Sequence, residues 1–206
     1  MAVFFSGGGT TLQNLIDRIA EGSLSAEIAW TLSSREGVAG IDRSYRAGIP
    51  CEILPRKNFP SHQAHSEAIN QHLAENPVDL IVLAGFMCLY DFPPQYSGRI
   101  LNTHPALIPA FCGQGMYGHH VHEAVIASGA KVSGATIHFV NEEYDCGPII
   151  LQKCVPVTFE DSAETLAEKV QAAERELYPR AIQLFAEGRL KIEGNRVRIL
   201  REEETP

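Results

Sequence analysis

No run of apolar residues approaches the roughly 20 needed to cross a bilayer, and the N-terminus has no basic segment followed by a long apolar stretch. A soluble, cytoplasmic protein is expected. Positive charge is also scarce: 17 Lys and Arg stand against 25 Asp and Glu, a formal net charge of -8. A sequence-independent nucleic-acid surface needs clustered cations, so the partners expected are small molecules, with no nucleic acid and no membrane. The five cysteines, Cys51, Cys88, Cys112, Cys146 and Cys154, are odd in number and lack CxxC or other ligand spacing. Reduced, mostly buried thiols and no metal are expected. Repeats, low-complexity tracts and linkers are missing too. With 206 residues, 45% of them apolar, the chain fits one compact α/β domain.

What is present is an alternation of short apolar runs with helical periodicity. Ala2 to Phe5 reads as a strand, the three glycines after Ser6 as a loop, and Leu12, Leu15, Ile16 and Ile19 as one helix face ending at Gly22. Glu27 to Leu32 and Cys51 to Leu54 predict strands on either side of a helix carrying Val38, Ile41 and Tyr45. Ser61 reads as the N-cap of a helix with Ala64, Ala68 and Leu73, terminated by Asn76 and Pro77. Val78 to Phe86 is apolar on both faces, the pattern of a central parallel strand. Arg99 to Thr103 predicts a further strand, and Phe111 to Gly118 a mobile lid. Lys131 to Val140 and Ile149 to Val157 read as strands rich in β-branched residues. A long helix starts at Ser162, a second begins at Pro179, and Gly194 and Asn195 mark a hairpin before a flexible tail after about residue 200. The fold class predicted is α/β: a doubly wound, mostly parallel, Rossmann-like sheet flanked by helices, with antiparallel strands towards one edge.

Three constellations carry chemistry. The glycine loop Gly7–Gly9, followed by Thr10 and Thr11, matches neither GxGxxG nor GxxxxGK[ST]. Its place in a first strand-to-helix turn, where unpaired amides attract anions, favours a phosphate. In LNTHPALIP, Asn102 and His104 are two apart on a strand and face one space, while Thr103 faces the other. An amide donor beside an imidazole suits acyl transfer. In HFVNEEYDCGPI, Asp145 lies on a loop constrained by Gly147 and Pro148, from which its carboxylate can reach His104. His119, His120 and His122 do not complete a zinc site, because the HExxH pattern begun at His122 and Glu123 meets Ile126. No GxSxG elbow occurs, and no cationic neighbour in sequence activates Cys112 or Cys146.

SGGGTTLQNLI, VLAGFM, LNTHPALIP, HFVNEEYDCGPIILQKCVPV and ERELYP, in this order, resemble the glycinamide ribonucleotide formyltransferases of purine biosynthesis, over roughly Met1 to Leu190. The resemblance implies a single formyltransferase domain spanning 1–206. Residues 1 to about 100 would form its phosphate-binding half, and about 101 to 190 its catalytic and folate-binding half. It implies Asn102, His104 and Asp145 as the catalytic trio, with 10-formyltetrahydrofolate as co-substrate and 5-phosphoribosylglycinamide as acceptor. Gly9, Thr10, Thr11, Leu12 and Gln13 would hold the ribonucleotide phosphate, and Glu174 its polar groups. The folate would lie along His62, Met87, Cys88, Leu89, Tyr90 and Asn102 and under Val140, Asn141, Glu142, Glu143 and Tyr144. The family often carries Asn or Arg at Gly8 and Asn at Thr11, and some members have arginines at His62 and Cys88. A monomer or homodimer is expected. Two rival readings are a formyltetrahydrofolate deformylase, which usually brings an extra N-terminal domain, and a non-catalytic folate- or phosphate-binding protein of the same fold.

Overall fold

The computed structural model describes residues 1–204; the last two residues of the expected tail lie outside the described residues. The fold is a mostly parallel sheet with antiparallel strands towards one edge, flanked by helices. The chain divides into two compact units, Met1–Leu101 and the residues from Asn102 onward, with the boundary inside one strand.

In the first unit β1 (Ala2–Phe5) runs parallel to β2 (Trp30–Ser33) on one side and β4 (Ile81–Leu83) on the other, and β2 pairs in parallel with β3 (Cys51–Ile53). Between them lie α1 (Thr10–Ala20), α2 (Ala39–Arg46) and α3 (His62–Glu75). Every residue of β1 is buried, as a strand covered on both faces requires. Phe4 anchors this core, with ring centroids 5.5 Å from Trp30, 5.6 Å from Phe86 and 5.7 Å from Tyr90. The Ser61 hydroxyl accepts from the Ala64 amide and caps α3 as expected. The apolar run Val78 to Phe86 yields a regular strand of only three residues. Backbone bonds from Ala2 to Leu80, Ala84 to Phe4 and Ser6 to Gly85 nevertheless hold the run in place beyond the strand's ends.

The boundary strand is β5 (Ile100–His104). The second unit continues with α4 (His119–Ser128), β6 (Val132–Phe139), β7 (Ile149–Pro156), α5 (Ala163–Ala186), β8 (Leu190–Glu193) and β9 (Arg196–Ile199). β6 and β7 are antiparallel with a register shift between Ile137 and His138, β7 pairs in parallel with β9, and β9 pairs antiparallel with β8. Val125, Ala135, Leu166, Val170 and Ala173 form a core under β6 and β7. Ser162 and Thr165 close a capping box on α5. Pro179 does not start a new helix; it lies inside α5. Burial of Tyr178, Pro179, Ala181, Ile182 and Leu184 outweighs the backbone bond that a proline forfeits. Glu202–Glu204 makes a short 3-10 turn in the tail.

The cysteines depart from expectation. All five are free, but Cys51, Cys88 and Cys112 are half-buried and Cys146 and Cys154 exposed. Cys154 lies on a stretch of β7 that faces solvent, and Cys146 on a loop. Among the described residues no helix is long and apolar enough to cross a membrane.

Candidate functional site

The second unit gathers four polar side chains. β5 presents Asn102 and His104 on one side and Thr103 on the other, as a two-residue period dictates. Asp145 arrives from the loop after β6: its Oδ2 lies 3.4 Å from His104 Nδ1 and its Oδ1 3.6 Å from His138 Nε2. Asn102 Nδ2 lies 3.2 Å from that same His138 Nε2. The three expected residues are thus brought together, and His138 joins them. The register shift at His138 is a bulge-like irregularity, a device that re-aims one side chain of a strand. His138 is not singled out by the sequence. The signal it leaves is a lone ring nitrogen donor or acceptor in a strand whose other residues from Ser133 onward are buried and compact.

Two residues hold the site under backbone strain. Phe111 (φ 51) and Asp145 (φ 54) are the non-glycine residues with left-handed φ among the described residues, and both touch His104. Such strain persists only where the surroundings over-determine it. For Asp145 the surroundings include the Gly113 amide, which donates to Oδ2 at 3.0 Å. They also include the close passage of Gly147, where a Cβ would lie 1.7 Å from the Phe139 carbonyl oxygen.

Proton positions follow from the partners. His104 Nε2 faces the Phe111 carbonyl at 2.8 Å, and His138 Nδ1 faces the Phe139 carbonyl at 2.9 Å. A carbonyl only accepts, so each of these nitrogens carries a proton. His138 Nε2 lies between the Asn102 amide and the Asp145 carboxylate, and Asn102 keeps its second N–H and its oxygen for a ligand. His104 is 3% exposed. Burial pulls its pKa below the ordinary 6.5, against the opposing pull of Asp145 and the Phe111 carbonyl. Asp145 raises the proton affinity of His104, but desolvation outweighs it and favours the neutral imidazole. For Asp145, burial acts upward, and the bond to His138, the charge of His104 and the Gly113 amide together hold it below the ordinary carboxylate value.

On the far side of β5, Thr103 Oγ1 donates to Glu174 Oε1 at 2.6 Å. Burial pushes the Glu174 carboxyl upward, opposed by that hydrogen bond. The remaining histidines stay apart from this cluster. His119 and His120 pair with Glu123 and Glu164 on the surface, and among the described residues no His, Cys, Asp and Glu group has metal-site geometry. His122 is buried, and its Nδ1 has no partner. On the loop after β6, Val140 is half-buried, while Asn141, Glu142, Glu143 and Tyr144 are exposed.

In the first unit the glycine loop turns its amides outward by occupying its carbonyls. Gly40 N donates to Gly7 O (3.2 Å), Arg43 Nε to Gly8 O (2.8 Å) and Gln13 N to Gly9 O (2.9 Å). The amides of Gly9, Thr10, Thr11 and Leu12 donate to nothing among the described residues, the usual condition of a helix N-terminus that receives an anion. Leu12 buries its side chain in the core and has only its amide to offer. Gln13 is engaged by Arg43 Nη1 at 3.0 Å and by Asp17 at 2.8 Å. Of the residues after β4, Met87 is 48% exposed, Cys88 and Leu89 are half-buried, and Tyr90 is buried with its hydroxyl on Asn70 at 2.8 Å. His62 pairs with Asp91 at 3.2 Å.

Residues 1–182 match the formyl transferase family. The chain is 40% identical to the phosphoribosylglycinamide formyltransferase of Haemophilus influenzae, over 95% of its own length and 91% of that protein. It is 41% identical to the trifunctional purine biosynthetic protein adenosine-3 of Bos taurus, over 95% of its own length but only 19% of that protein. Among solved structures, glycinamide ribonucleotide transformylase 1 from Symbiobacterium toebii superposes with a TM-score of 0.89 at 42% identity, covering 97% of this chain and 93% of that one. A match that takes in the glycine loop, β5 and the Asp145 loop alike makes the chain a member of the formyl transferase family.

Proposed function

We propose that the protein transfers the formyl group of 10-formyltetrahydrofolate to the amine of 5-phosphoribosylglycinamide, as a single domain acting in the cytoplasm. The observation that carries this reading is the position of the Asp145 carboxylate between His104 and His138, with Asn102 alongside. The neutral glycinamide nitrogen attacks the formyl carbon. As the new C–N bond forms, the carbonyl oxygen gains charge and accepts from the free N–H of Asn102. With the Phe111 carbonyl displaced, the neutral His104 ring holds its proton on Nδ1 against Asp145 Oδ2, and its freed Nε2 takes the amine proton. The resulting imidazolium faces Asp145 and stabilises the tetrahedral intermediate. Collapse breaks the formyl bond to the folate nitrogen, which leaves with the proton returned from the His104 imidazolium. Substrate entry must displace the Phe111 carbonyl from His104 Nε2.

In this reading the amides of Gly9, Thr10, Thr11 and Leu12, with Gln13, take the ribonucleotide phosphate, and Glu174 its polar groups. The folate lies along His62 and Met87 to Tyr90 and under Val140 to Tyr144. The donor set needs no metal and no covalent intermediate. The test is incubation of the purified protein with 10-formyltetrahydrofolate, with and without the ribonucleotide, while following tetrahydrofolate and formate. Tetrahydrofolate release that requires the amine supports the transferase; formate without amine would make it a deformylase, and no turnover a binding protein.

A further inference from the structure

β8 stands at one end of the sheet, and among the described residues no backbone hydrogen bond reaches its outer edge. The strand at the opposite end, β3, is half-buried along its length, whereas Lys191, Ile192 and Glu193 of β8 are exposed. An uncovered strand edge is a template for a further strand. Neither proline nor bulge blunts this one, because the register from Leu190↔Ile199 to Glu193↔Arg196 is unbroken.

The turn fixes which backbone groups that edge offers. Gly194 and Asn195 separate the paired Glu193 and Arg196, and Gly194 has φ 62, as the first position of a tight two-residue hairpin turn requires. Such a turn is closed by a hydrogen-bonded pair, and hydrogen-bonded and open pairs alternate from there. Glu193 and Lys191 therefore spend their amides and carbonyls on β9, and those of Ile192 and Leu190 point outward. The same period sorts the side chains. Leu190, Ile192, Val197 and Ile199 share one face, where Ile192 and Ile199 are each 40% exposed. The other face carries Lys191, Glu193, Arg196 and Arg198, with Glu193 at 3.3 Å from both Lys191 Nζ and Arg198 Nη2.

We propose that the outer edge of β8 is a docking surface for β8 of a second copy of this chain, paired antiparallel about a two-fold axis at Ile192. Charge selects both the occupant and the register. With Ile192 opposite the partner's Ile192, Lys191 faces the partner's Glu193 and Glu193 faces the partner's Lys191, so both cross-strand pairs at the junction join opposite charges. These are the open pairs of the new ladder, where side chains lie closer. A two-fold at Lys191 or at Glu193 would set like charges opposite, and one at Leu190 would set Lys191 against the partner's Arg189. On the other face the two half-exposed apolar stripes join at Ile192. Strands of four residues make a small contact, so the dimer is weak and reversible.

Sedimentation equilibrium of the full chain, over a concentration series reaching about 1 mM, is the test. Salt of about 0.1 M screens the net charge of -8 on each copy but spares pairs in contact. The wild type is expected to pass from monomer to dimer as concentration rises. Lys191→Glu and Glu193→Lys, each alone, set like charges opposite at both pairs and should weaken association about tenfold. An equimolar mixture of the two variants restores opposite charges at both pairs, and its association should return to near the wild-type level. Mixing cannot rescue a misfolded chain, so the mixture separates a lost contact from a lost fold. A wild type that stays monomeric throughout, leaving the edge to a strand of some other protein, would overturn the proposal. So would a dimer that neither variant weakens, or a mixture that associates no better than its components.

Discussion

Asn102 and His138, 36 positions apart in the chain, meet through the Asn102 amide nitrogen and His138 Nε2 at 3.2 Å. One ring therefore orients the amide and, through the same nitrogen's proximity to Asp145 Oδ1 at 3.6 Å, steadies the carboxylate. His138→Ala is expected to lower kcat roughly 100-fold, the scale of a misplaced catalytic group, with little change in KM. The bond to His138 helps to hold the Asp145 pKa down, so its removal also shifts the acid limb of the pH–rate profile to higher pH. A variant that loses kcat with an unmoved acid limb would leave His138 a packing role only.

Asp145 has a different part. Asp145→Asn keeps the size of the side chain and an oxygen for the Gly113 amide, so the loop should keep its place. It removes the charge that, in the proposed reaction, faces His104 as that ring takes a proton. A loss of about 10²–10³ in kcat is expected, comparable to deleting one preorganised electrostatic group, with the circular-dichroism spectrum and Tm near wild type. Retention of wild-type turnover would remove Asp145 from the chemistry.

How much of this was legible in the sequence varies with the physical range of the signal. Local rules located the Ser61 cap, the hairpin at Gly194 and the alternation that puts Asn102 and His104 on one side of β5. Constraint of the backbone beside Asp145 was readable from Gly147, whose missing side chain leaves room for the Phe139 carbonyl. Local rules failed where tertiary packing decides. Pro179 reads as a helix start, yet the buried face on both sides of it carries α5 through. Cysteine reads as buried from its usual habit, yet the exposed stretch of β7 takes Cys154 with it. His138 belongs to the same class: its importance comes from a carboxylate seven residues on and an amide on a different strand, and neither leaves a periodic trace.

Thr103 points away from the trio, and its hydroxyl donates to Glu174 at 2.6 Å. Burial alone would push the Glu174 carboxyl towards its neutral form, and this bond opposes it. Thr103→Val keeps the shape and deletes the donor. The Glu174 pKa then rises further, so ribonucleotide affinity, if it depends on the ionised form, falls most at low pH. A KM increase of about fivefold to tenfold with unchanged kcat is expected, one neutral-to-charged hydrogen bond's worth. A fall in kcat with constant KM would place Glu174 elsewhere in the reaction.

Stability should fall in mild acid. Burial lowers the pKa of His65, His104 and His122 below 6.5. In the unfolded chain each ring takes a proton near 6.5, while in the folded state each resists it. Their contribution is therefore intact above the unfolded value and is lost as pH drops through 6.5 and below. Tm should decline between about pH 7.5 and 5.5. His122→Phe, which replaces a buried ring whose Nδ1 has no partner, should flatten that decline. An equal slope in the variant would assign the acid sensitivity to the other two rings.

The three glycines of the loop are not equivalent. Gly9 has φ 69, and a Cβ there would lie 2.7 Å from the Gly40 Cα. Gly7 and Gly8 have open space around the Cβ position within 4 Å. Gly9→Ala therefore forces a left-handed alanine, costing about 1–2 kcal/mol, and adds a backbone collision that no rotamer relieves. It should lower Tm and raise the ribonucleotide KM together, because relief of the collision moves the amides of Thr10 and Thr11. Gly8→Ala adds no collision, and the Arg43 bond to the Gly8 carbonyl does not involve the side-chain position. Its effect on stability should stay within about 0.5 kcal/mol, while a methyl group on the ligand side would raise the KM alone. Urea unfolding and steady-state kinetics on the two variants separate these roles: a Gly8→Ala loss of stability as large as that of Gly9→Ala would mean that the loop is built for folding rather than for an anion.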